Sequence, residues 1–382
     1  MNYNELHSKF KERKISGRYI TLKQIEPILL NYKIEIVGKS VLEKPIYKYI
    51  IGSGKLKVFM WSQMHGNEGT TTKALVDFFN LIHSDNLVGV KLLADFTFCF
   101  LPMVNPDGAE FYTRENANLI DLNRDAKNKT QPESIVLRAV FEDFKPDFCY
   151  NLHDQRTIYG VDFSGKPATV SFLAPSYNEN RDVNSVRIKA MNIIGAMNIE
   201  LQKHIPGQVG RYEDEFNDNC IGETFQINNV PTILFESGHF SDDYEREITR
   251  KMIFIALVSG LQYISENDVV EKKFDKYLKI PQNKVCFYDI IYKNIKINYD
   301  NTKIITNFGI QYVEKLINAE IVYEALIAEI GTLDNFFGHV LFDAQEKLYS
   351  DLNTNHPVIN QNANFNLDTL EVRNGLIQKI TL

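Results

Sequence analysis

Two histidines and a glutamate have the residue types and the spacing of a metal site. His65 and Glu68 are separated by two residues, so both side chains can reach one ion from a tight turn. His153 follows 85 residues after Glu68 and completes a set of two histidines and one glutamate. Three protein ligands that leave one position open are typical of catalytic zinc, because structural zinc usually takes a fourth ligand. The sequence therefore predicts one catalytic zinc ion per chain.

Each of these residues, taken singly, also has a common structural explanation. A lone HxxE pair is often a surface pair on a helix, and a lone histidine at a strand end is often a hydrogen-bonded core residue. Glu236 follows another apolar strand and could equally cap a helix or form an ion pair. If the metal site exists, Glu236 is free to act as a general base on the water at the metal. The prediction depends on the agreement of several such positions.

The elements that must position these residues can be predicted from the hydrophobic pattern. Up to about residue 265, short apolar runs alternate with longer helix-like segments, which predicts a doubly wound, mixed α/β sheet flanked by helices. The predicted strands are Lys33–Val37, Ile46–Ile51, Lys57–Trp61, Asp95–Leu101, Phe148–Leu152, Val170–Leu173 and Thr232–Phe235. The predicted helices are Leu22–Tyr32, Thr70–Ile82, Pro132–Phe144, Asn178–His204 and Asp242–Ile264.

Polar residues follow four of these strands, at the point where each strand ends. The runs continue into His65 with Glu68, into Asn105 with Asp107, into His153, and into Glu236. In open α/β sheets the functional crevice lies beyond the carboxyl ends of the strands. We therefore expect these side chains to converge there.

The residue pattern of the chain changes after Lys279. Five short runs rich in β-branched and aromatic residues are separated by Asn, Asp and Gly, which predicts strands. They are Val285–Tyr292, Ile295–Tyr299, Lys303–Ile305, Ile321–Glu329 and His339–Asp343, and the Asn-rich stretch Asn353–Asn366 is predicted to be a long loop. We therefore predict a catalytic domain at residues 1–279 and a small, mainly β domain at residues 280–382.

Composition and charge exclude several classes of protein. The formal net charge of −7 gives no basic footprint for nucleic acid. Apolar runs such as Phe96–Val104 are far shorter than the roughly 20 residues of a membrane span, and the polar start of the chain does not resemble a secretion signal. The 4 cysteines lie far apart without CxxC spacing. We expect a reduced, cytoplasmic protein without a nucleic-acid or membrane partner.

Six segments, taken in order, resemble the zinc carboxypeptidase family, also called M14 metallopeptidases. They are His65-Gly-Asn-Glu68, Asn105-Pro-Asp-Gly108, Arg114, Asp121-Leu-Asn123-Arg124, His153 and Glu236. The resemblance covers roughly residues 40–265. Because no digestive-type disulfide set is visible, the chain looks more similar to an intracellular, bacterial-type member than to a secreted digestive enzyme.

The resemblance implies a role for each of these residues. His65, Glu68 and His153 would hold zinc, and Asp121 would orient His65. Glu236 would be the general base, and Arg114 would stabilise the oxyanion. Asn123 and Arg124 would bind the free C-terminal carboxylate of a peptide or peptide-like substrate, for which a planar guanidinium is well suited. Tyr212, which lies 24 residues before Glu236, is our candidate for the mobile tyrosine that closes on substrate in this family.

Three functions remain open at this point. The first is a zinc-dependent metallo-carboxypeptidase that removes a C-terminal residue. The second is an amidohydrolase of the aspartoacylase and succinylglutamate desuccinylase type, because those relatives share the HxxE pair and a β-rich C-terminal portion. The third is a catalytically silent binding protein that keeps the zinc fold. The NPDG segment and the spacing of Arg114 and Arg124 favour the first, and the presence of Glu236 disfavours the third.

Overall fold

The chain divides into two compact units. A computed structural model describes residues 2–267, 274–299, 302–351 and 355–378. The first unit comprises residues 1–156 and 168–283, and the second comprises residues 157–167 and 284–382. The two-domain division predicted at residues 279 and 280 remains a proposal. In the part of the chain that the structure describes, no helix has the length and the apolar character needed to cross a membrane.

An eight-stranded mixed sheet forms the centre of the first unit. The first nine strands of the chain are β1 (Ile34–Lys39), β2 (Pro45–Gly52), β3 (Leu56–Ser62), β4 (Phe96–Leu101), β5 (Phe148–Asp154), β6 (Tyr159–Val161), β7 (Val170–Leu173), β8 (Val209–Arg211) and β9 (Thr232–Ser237). All of them except β6 join this sheet, in the order β1-β2-β4-β3-β5-β9-β7-β8. The four central strands β4, β3, β5 and β9 are parallel, so their carboxyl ends lie at the same edge.

Helices cover both faces of the sheet. They are α1 (Tyr3–Phe10), α2 (Leu22–Leu29), α3 (Thr70–Ile82), α4 (Leu87–Asp95), α5 (Pro106–Phe111), α6 (Pro132–Phe144), α7 (Ser185–Leu201), α8 (Ile221–Ile227), α9 (Glu247–Glu266) and α10 (Asp275–Leu278). One apolar core contains Leu75 of α3 and Phe254 of α9, and a second contains Leu137 of α6 and Phe225 of α8. The predicted fold class of a helix-flanked mixed sheet with a β-rich C-terminal region is confirmed.

Local hydrogen bonds explain where the observed elements depart from the predicted ones. Helix α7 begins at Ser185 rather than at Asn178, because the side chain of Asn184 accepts a hydrogen bond from the backbone N–H of Arg187 at 2.9 Å. The NPDG segment lies at the start of helix α5. The Asn105 side chain caps that helix by accepting from the N–H of Gly108 at 2.8 Å, with Pro106 in the first helical turn.

The second unit is built from β-strands. Besides β6, they are β10 (Asn283–Val285), β11 (Phe287–Tyr299), β12 (Thr302–Ile317), β13 (Glu320–Gly331), β14 (Phe337–Asp343), β15 (Tyr349–Ser350), β16 (Phe365–Leu367), β17 (Leu370–Arg373) and β18 (Leu376–Ile377). Strands β13-β12-β11-β14 form one sheet and β15-β16-β17-β18 form another, and both contribute to one apolar core.

Two predictions for this region need correction. The strands predicted at Val285–Tyr292 and Ile295–Tyr299 form the single strand β11, which a register shift between Tyr292 and Ile295 interrupts. Asn294 lies inside that shift with φ +56°, so the chain bulges without leaving the sheet. The long loop predicted at Asn353–Asn366 ends earlier than expected, because β16 begins at Phe365. Residues 353–354 of that loop lie outside the described residues.

Candidate metal centre

The three predicted ligands lie together at the carboxyl edge of the central strands. His65 and Glu68 are in the short connection between β3 and α3, and His153 is the penultimate residue of β5. Because β3 and β5 are parallel neighbours, both ends lead to the same place. His65 Nδ1 is 2.7 Å from Glu68 Oε1, and His153 Nδ1 is 2.8 Å from Glu68 Oε2. Their ligand atoms all lie within 4.8 Å of one another, and the three residues are buried.

The spacing of these atoms fits a single metal ion. The two Nδ1 atoms of His65 and His153 are 3.1 Å apart. Zinc–nitrogen bonds of about 2.0–2.1 Å in a tetrahedron place neighbouring ligand atoms about 3.3 Å apart. Two histidine nitrogen atoms and a carboxylate are also one of the donor sets found at catalytic zinc sites. The residues present therefore fit a zinc ion held by His65, Glu68 and His153.

The pKa shifts of the three predicted ligands are partly those that metal binding requires. Burial lowers the pKa of His153, which keeps the imidazole neutral. Burial alone would raise the pKa of Glu68, but His65 and His153 outweigh it and lower that pKa, so the carboxylate is ionised. Burial opposes the protonation of His65, but Glu68 and Asp121 raise its pKa. A metal ion requires neutral histidines and an ionised carboxylate, so binding at His65 competes with a proton.

A second layer of charged residues surrounds the ligands. Asp121 Oδ1 lies 3.1 Å from His65 Nε2, the ring nitrogen that faces away from the predicted ion. Arg114 donates from Nε to Asp121 Oδ2 at 3.1 Å and from an Nη atom to Glu68 Oε1 at 3.4 Å. Carboxylates that bind the outer nitrogen of a ligating histidine fix the orientation of its ring. His153 has no such partner among the described residues, because its Nε2 atom is buried without a hydrogen bond.

Glu236 lies beside the ligands on the neighbouring strand. In the parallel pairing of β5 with β9, His153 is the register partner of Glu236. Glu236 is partly exposed as a residue, while its Oε2 atom is buried and has no hydrogen-bond partner among the described residues. Loss of solvation raises the pKa of this carboxyl group well above its usual value, and the charges of Glu68 and Asp154 act in the same direction. A basic carboxylate with an unused oxygen atom suits proton transfer.

Asn123 and Arg124 lie on a short 3₁₀ helix, Leu122–Arg124, that begins directly after Asp121. The Asn123 side chain accepts a hydrogen bond from the N–H of Ile221, the first residue of α8, at 3.0 Å. Arg124 is exposed, and one of its Nη atoms lies 3.0 Å from its neighbour's carbonyl and 3.1 Å from Cys220 Sγ. These contacts leave most of the Arg124 guanidinium open to solvent.

Tyr212 is placed differently from the other predicted residues. It follows the end of β8, and its N–H donates to the carbonyl of Phe172 in β7 at 3.0 Å. Strand β8 is separated from β9 by β7, and both β7 and β8 run opposite to β9. The chain at Tyr212 therefore lies two strands away from Glu236 and continues away from the edge that carries the ligands. Its role as the mobile tyrosine stays a prediction.

Sequence analysis missed two residues that contact this site. Asp154, which directly follows His153, donates its N–H to Glu68 Oε2 at 3.0 Å. Arg18 donates to the Asp154 carboxylate at 3.0 Å across 136 positions of sequence. The only available signal for Asp154 was its place beside a predicted ligand. Nothing in the sequence near Arg18 indicated a role.

Comparisons with known proteins identify chains that are similar to this one. Residues 23–192 match the family described as zinc carboxypeptidase. "Carboxypeptidase 2" of Trichophyton tonsurans is 28% identical over 117 residues, which are 31% of this chain and 21% of that protein. "Gamma-D-glutamyl-L-diamino acid endopeptidase 1" of Lysinibacillus sphaericus is 34% identical over 80 residues, which are 19% of this chain and 20% of that protein. The matches thus span about a fifth of these relatives' length.

A solved structure shows the same fold. A metallo-carboxypeptidase from Pseudomonas aeruginosa, in complex with (2-guanidinoethylmercapto)succinic acid, superimposes with a TM-score of 0.50 at 16% identity. The superposition covers 65% of this chain and 68% of that one. The match of residues 23–192 to the zinc carboxypeptidase family confirms the resemblance that the ordered motifs predicted.

Proposed function

Because residues 23–192 match the zinc carboxypeptidase family, we propose that this protein is a zinc-dependent metallo-carboxypeptidase. It hydrolyses a peptide or other amide bond adjacent to a free C-terminal carboxylate. The observation that carries the proposal is the convergence of His65, Glu68 and His153 beside Glu236. A binding protein would need the three ligands but would have no use for a basic carboxylate next to them.

The chain's own residues divide the reaction among them. His65, Glu68 and His153 would hold one zinc ion, whose chemistry is to polarise a carbonyl and to lower the pKa of a water molecule. Glu236 would accept the proton of that water and later deliver it to the departing amine. The raised pKa of Glu236 suits this role, because a more basic carboxylate accepts a proton more readily than an ordinary one.

Two arginines would handle the charges of the substrate. Arg114 is anchored by Asp121 and Glu68, so its guanidinium is held at the side of the ligands where an oxyanion would develop. A donor fixed in advance stabilises such a charge more effectively than solvent does. Arg124 is more open and would bind the terminal carboxylate through two parallel hydrogen bonds, with Asn123 fixing the 3₁₀ helix against α8.

The bacterial relative suggests a second candidate substrate. That relative is named for cleaving a γ-D-glutamyl bond to an L-diamino acid, and its identity of 34% exceeds the 28% of the fungal carboxypeptidase. A γ-glutamyl bond is an amide and needs the same zinc and base. The two candidates differ in the group that precedes the scissile bond.

A substrate panel separates these possibilities. It contains a peptide with a free C-terminus, the same peptide amidated, a γ-D-glutamyl-diamino acid peptide and a set of N-acyl amino acids, with Glu236→Gln as the matched inactive control. Release of the last residue from the free acid, and much slower release from the amide, supports the carboxypeptidase. Turnover of N-acyl amino acids alone would replace it with an aspartoacylase-like hydrolase. Stoichiometric zinc without any turnover would indicate a silent binding protein.

A further inference from the structure

We propose that Asp154 is a positioning residue that holds together the elements carrying the metal ligands and the base. Its ion pair with Arg18 is part of the same arrangement. The inference rests on the proposed function for the zinc ligands and for Glu236 as the base. Asp154 is buried, and its backbone and side chain contact the elements that carry Glu68, His153 and Glu236. Arg18 lies ahead of residue 23, where the family match begins.

Asp154 caps the helix that follows Glu68. Helix α3 begins at Thr70, and its N-cap residue is Gly69, which has no side chain to accept from the first N–H groups. The Asp154 carboxylate accepts from the N–H of Thr70 at 3.0 Å and from that of Thr71 at 3.3 Å. Unpaired N–H groups at a helix start favour a negative charge. A residue of β5 thus fixes the start of α3, two positions after Glu68.

The same residue connects the other two elements of the site. Its backbone N–H donates to Glu68 Oε2 at 3.0 Å, which aims that oxygen at the side of His153. The hydroxyl of Ser237 donates to Asp154 Oδ1, and Ser237 is the residue after Glu236. Asp154 and Ser237 are also register partners of β5 and β9. Movement of this one carboxylate would therefore change the distance between ligands and base.

Arg18 provides the charge that allows a carboxylate to be buried here. It donates to Asp154 Oδ2 at 3.0 Å and to the hydroxyl of Thr70 at 3.0 Å, and its side chain has a relative exposure of 6%. Removal of one partner from a buried ion pair leaves an uncompensated charge, which is strongly destabilising. The pair therefore acts as one unit at the site.

The segment that carries Arg18 is fixed on both sides of it. Arg250 donates to the carbonyl of Glu12 at 2.8 Å and to that of Ile15 at 2.9 Å. Gln63, at the end of β3, donates to the carbonyl of Ile20 at 2.7 Å. The guanidinium of Arg18 is thus delivered to Asp154 by an ordered backbone.

The test measures zinc affinity, which needs no substrate. Asp154→Asn and Arg18→Met are compared with wild type by competition with a chelator, at a temperature where circular dichroism shows all variants folded. We expect each to weaken zinc binding by about 10–100-fold, the usual effect of losing a group that supports metal ligands. The double variant should lose little more than Asp154→Asn alone, since Arg18 acts through Asp154.

Asp77→Asn is the matched control. Asp77 is as deeply buried, forms an ion pair with Arg250 and accepts from the N–H of Glu12 at 2.7 Å, so it fixes the same segment without touching the site. It should lower the melting temperature and leave zinc affinity within about twofold of wild type, which is under 0.5 kcal/mol in binding free energy. If Asp154→Asn binds zinc as wild type does, or if Asp77→Asn loses as much, the proposal is wrong.

A milder variant covers the case in which Asp154→Asn does not fold. Ser237→Ala removes one hydrogen bond to Asp154 and keeps the ion pair with Arg18. In the zinc-saturated protein this variant should lower kcat about tenfold, which corresponds to about 1.4 kcal/mol, with little change in KM. An unchanged kcat would overturn the link between Asp154 and Glu236. If zinc affinity falls in Asp154→Asn as expected, but the wild-type protein turns over no substrate, only the proposed function is contradicted.

Discussion

His153 and Glu236 are register partners in two adjacent parallel strands, β5 and β9. Their backbones are therefore held at the fixed spacing of neighbouring strands, about 4.8 Å, rather than by flexible loops. The Nδ1 atom of His153 lies 3.1 Å from the Nδ1 atom of His65. The pairing of β5 with β9 therefore also sets the distance from the base to the metal ligands. Sites built on strands hold reacting groups more tightly than sites built on loops.

Glu236→Gln tests the base that this register positions. The amide keeps the size of the side chain but cannot accept the proton of the attacking water. We expect kcat to fall by on the order of 10²–10⁴, the usual contribution of general base catalysis. Zinc content should remain that of wild type, because Glu236 is not among the ligands. Retention of more than about a tenth of wild-type kcat would show that another group is the base.

The convergence of the site could be predicted because strand ends carry it. Apolar runs that stop at His65, His153 and Glu236 indicate parallel strands, and parallel strands end at one edge. The fold class followed from the same alternation of strands and helices. The bounds of α3 and α6 agreed with the sequence pattern, and α6 begins at a proline.

Contacts between distant segments could not be predicted. Arg18 meets Asp154 across 136 positions, and no local pattern specifies such a pair. The joining of two predicted strands into β11 could not be predicted either. An Asn such as Asn294 is typical both of a turn between two strands and of a bulge within one strand. Tyr212 shows a third limit. Its residue type and its distance from Glu236 in the sequence matched a family feature. Neither of these predicts that Tyr212 lies at the end of β8.

Loss of either histidine ligand should remove the metal. His65→Ala and His153→Ala each take away one of three predicted ligands, so we expect zinc content near zero after dialysis, against one zinc per chain in wild type. His204→Ala is the control, because His204 is not among the three predicted ligands and its Nε2 atom lies 3.3 Å from Glu200 Oε1 instead. Elemental analysis of the purified proteins measures the outcome. Equal zinc in all four proteins would refute the site.

Arg124 and Arg114 should differ in how their loss appears in the kinetics. Arg124→Lys keeps the charge but cannot bind both carboxylate oxygens in parallel, so kcat/KM should fall on the order of 10-fold or more for a free-acid substrate. Discrimination between the free acid and its amide should shrink by a similar factor. Arg114→Ala should lower mainly kcat and leave that discrimination unchanged, because its loss removes an oxyanion donor.

The comparison of acid and amide also gives the outcome that contradicts these roles. Wild-type protein that turns over the free acid and the amide equally would mean that Arg124 has a structural role. Its contacts with the Asn123 carbonyl at 3.0 Å and with Cys220 Sγ at 3.1 Å would then be its main interactions. If Arg114→Ala abolished the discrimination instead, the assignments of the two arginines would be reversed.

The stability of the protein should depend on pH through Glu223, a buried carboxyl in the first turn of α8. Burial raises its pKa from 4.5 to about 7, although Arg124 and Arg187 act against this. The folded protein therefore holds this proton more tightly than the unfolded chain does between these two values. It follows that Glu223 contributes a loss of stability as the pH rises through that window, on the order of 1–3 kcal/mol in total.

Glu223→Gln removes this dependence, since glutamine does not titrate. The free energy of unfolding of the variant, minus that of wild type, should therefore rise from pH 5 to pH 8 by on the order of 1–3 kcal/mol. Urea unfolding at several pH values, with metal-free protein throughout, measures it. Glu179→Gln, at an exposed position of the same unit, is the control and should give a small difference at every pH. A difference for Glu223→Gln that is constant with pH would show that this carboxyl ionises normally in the folded protein.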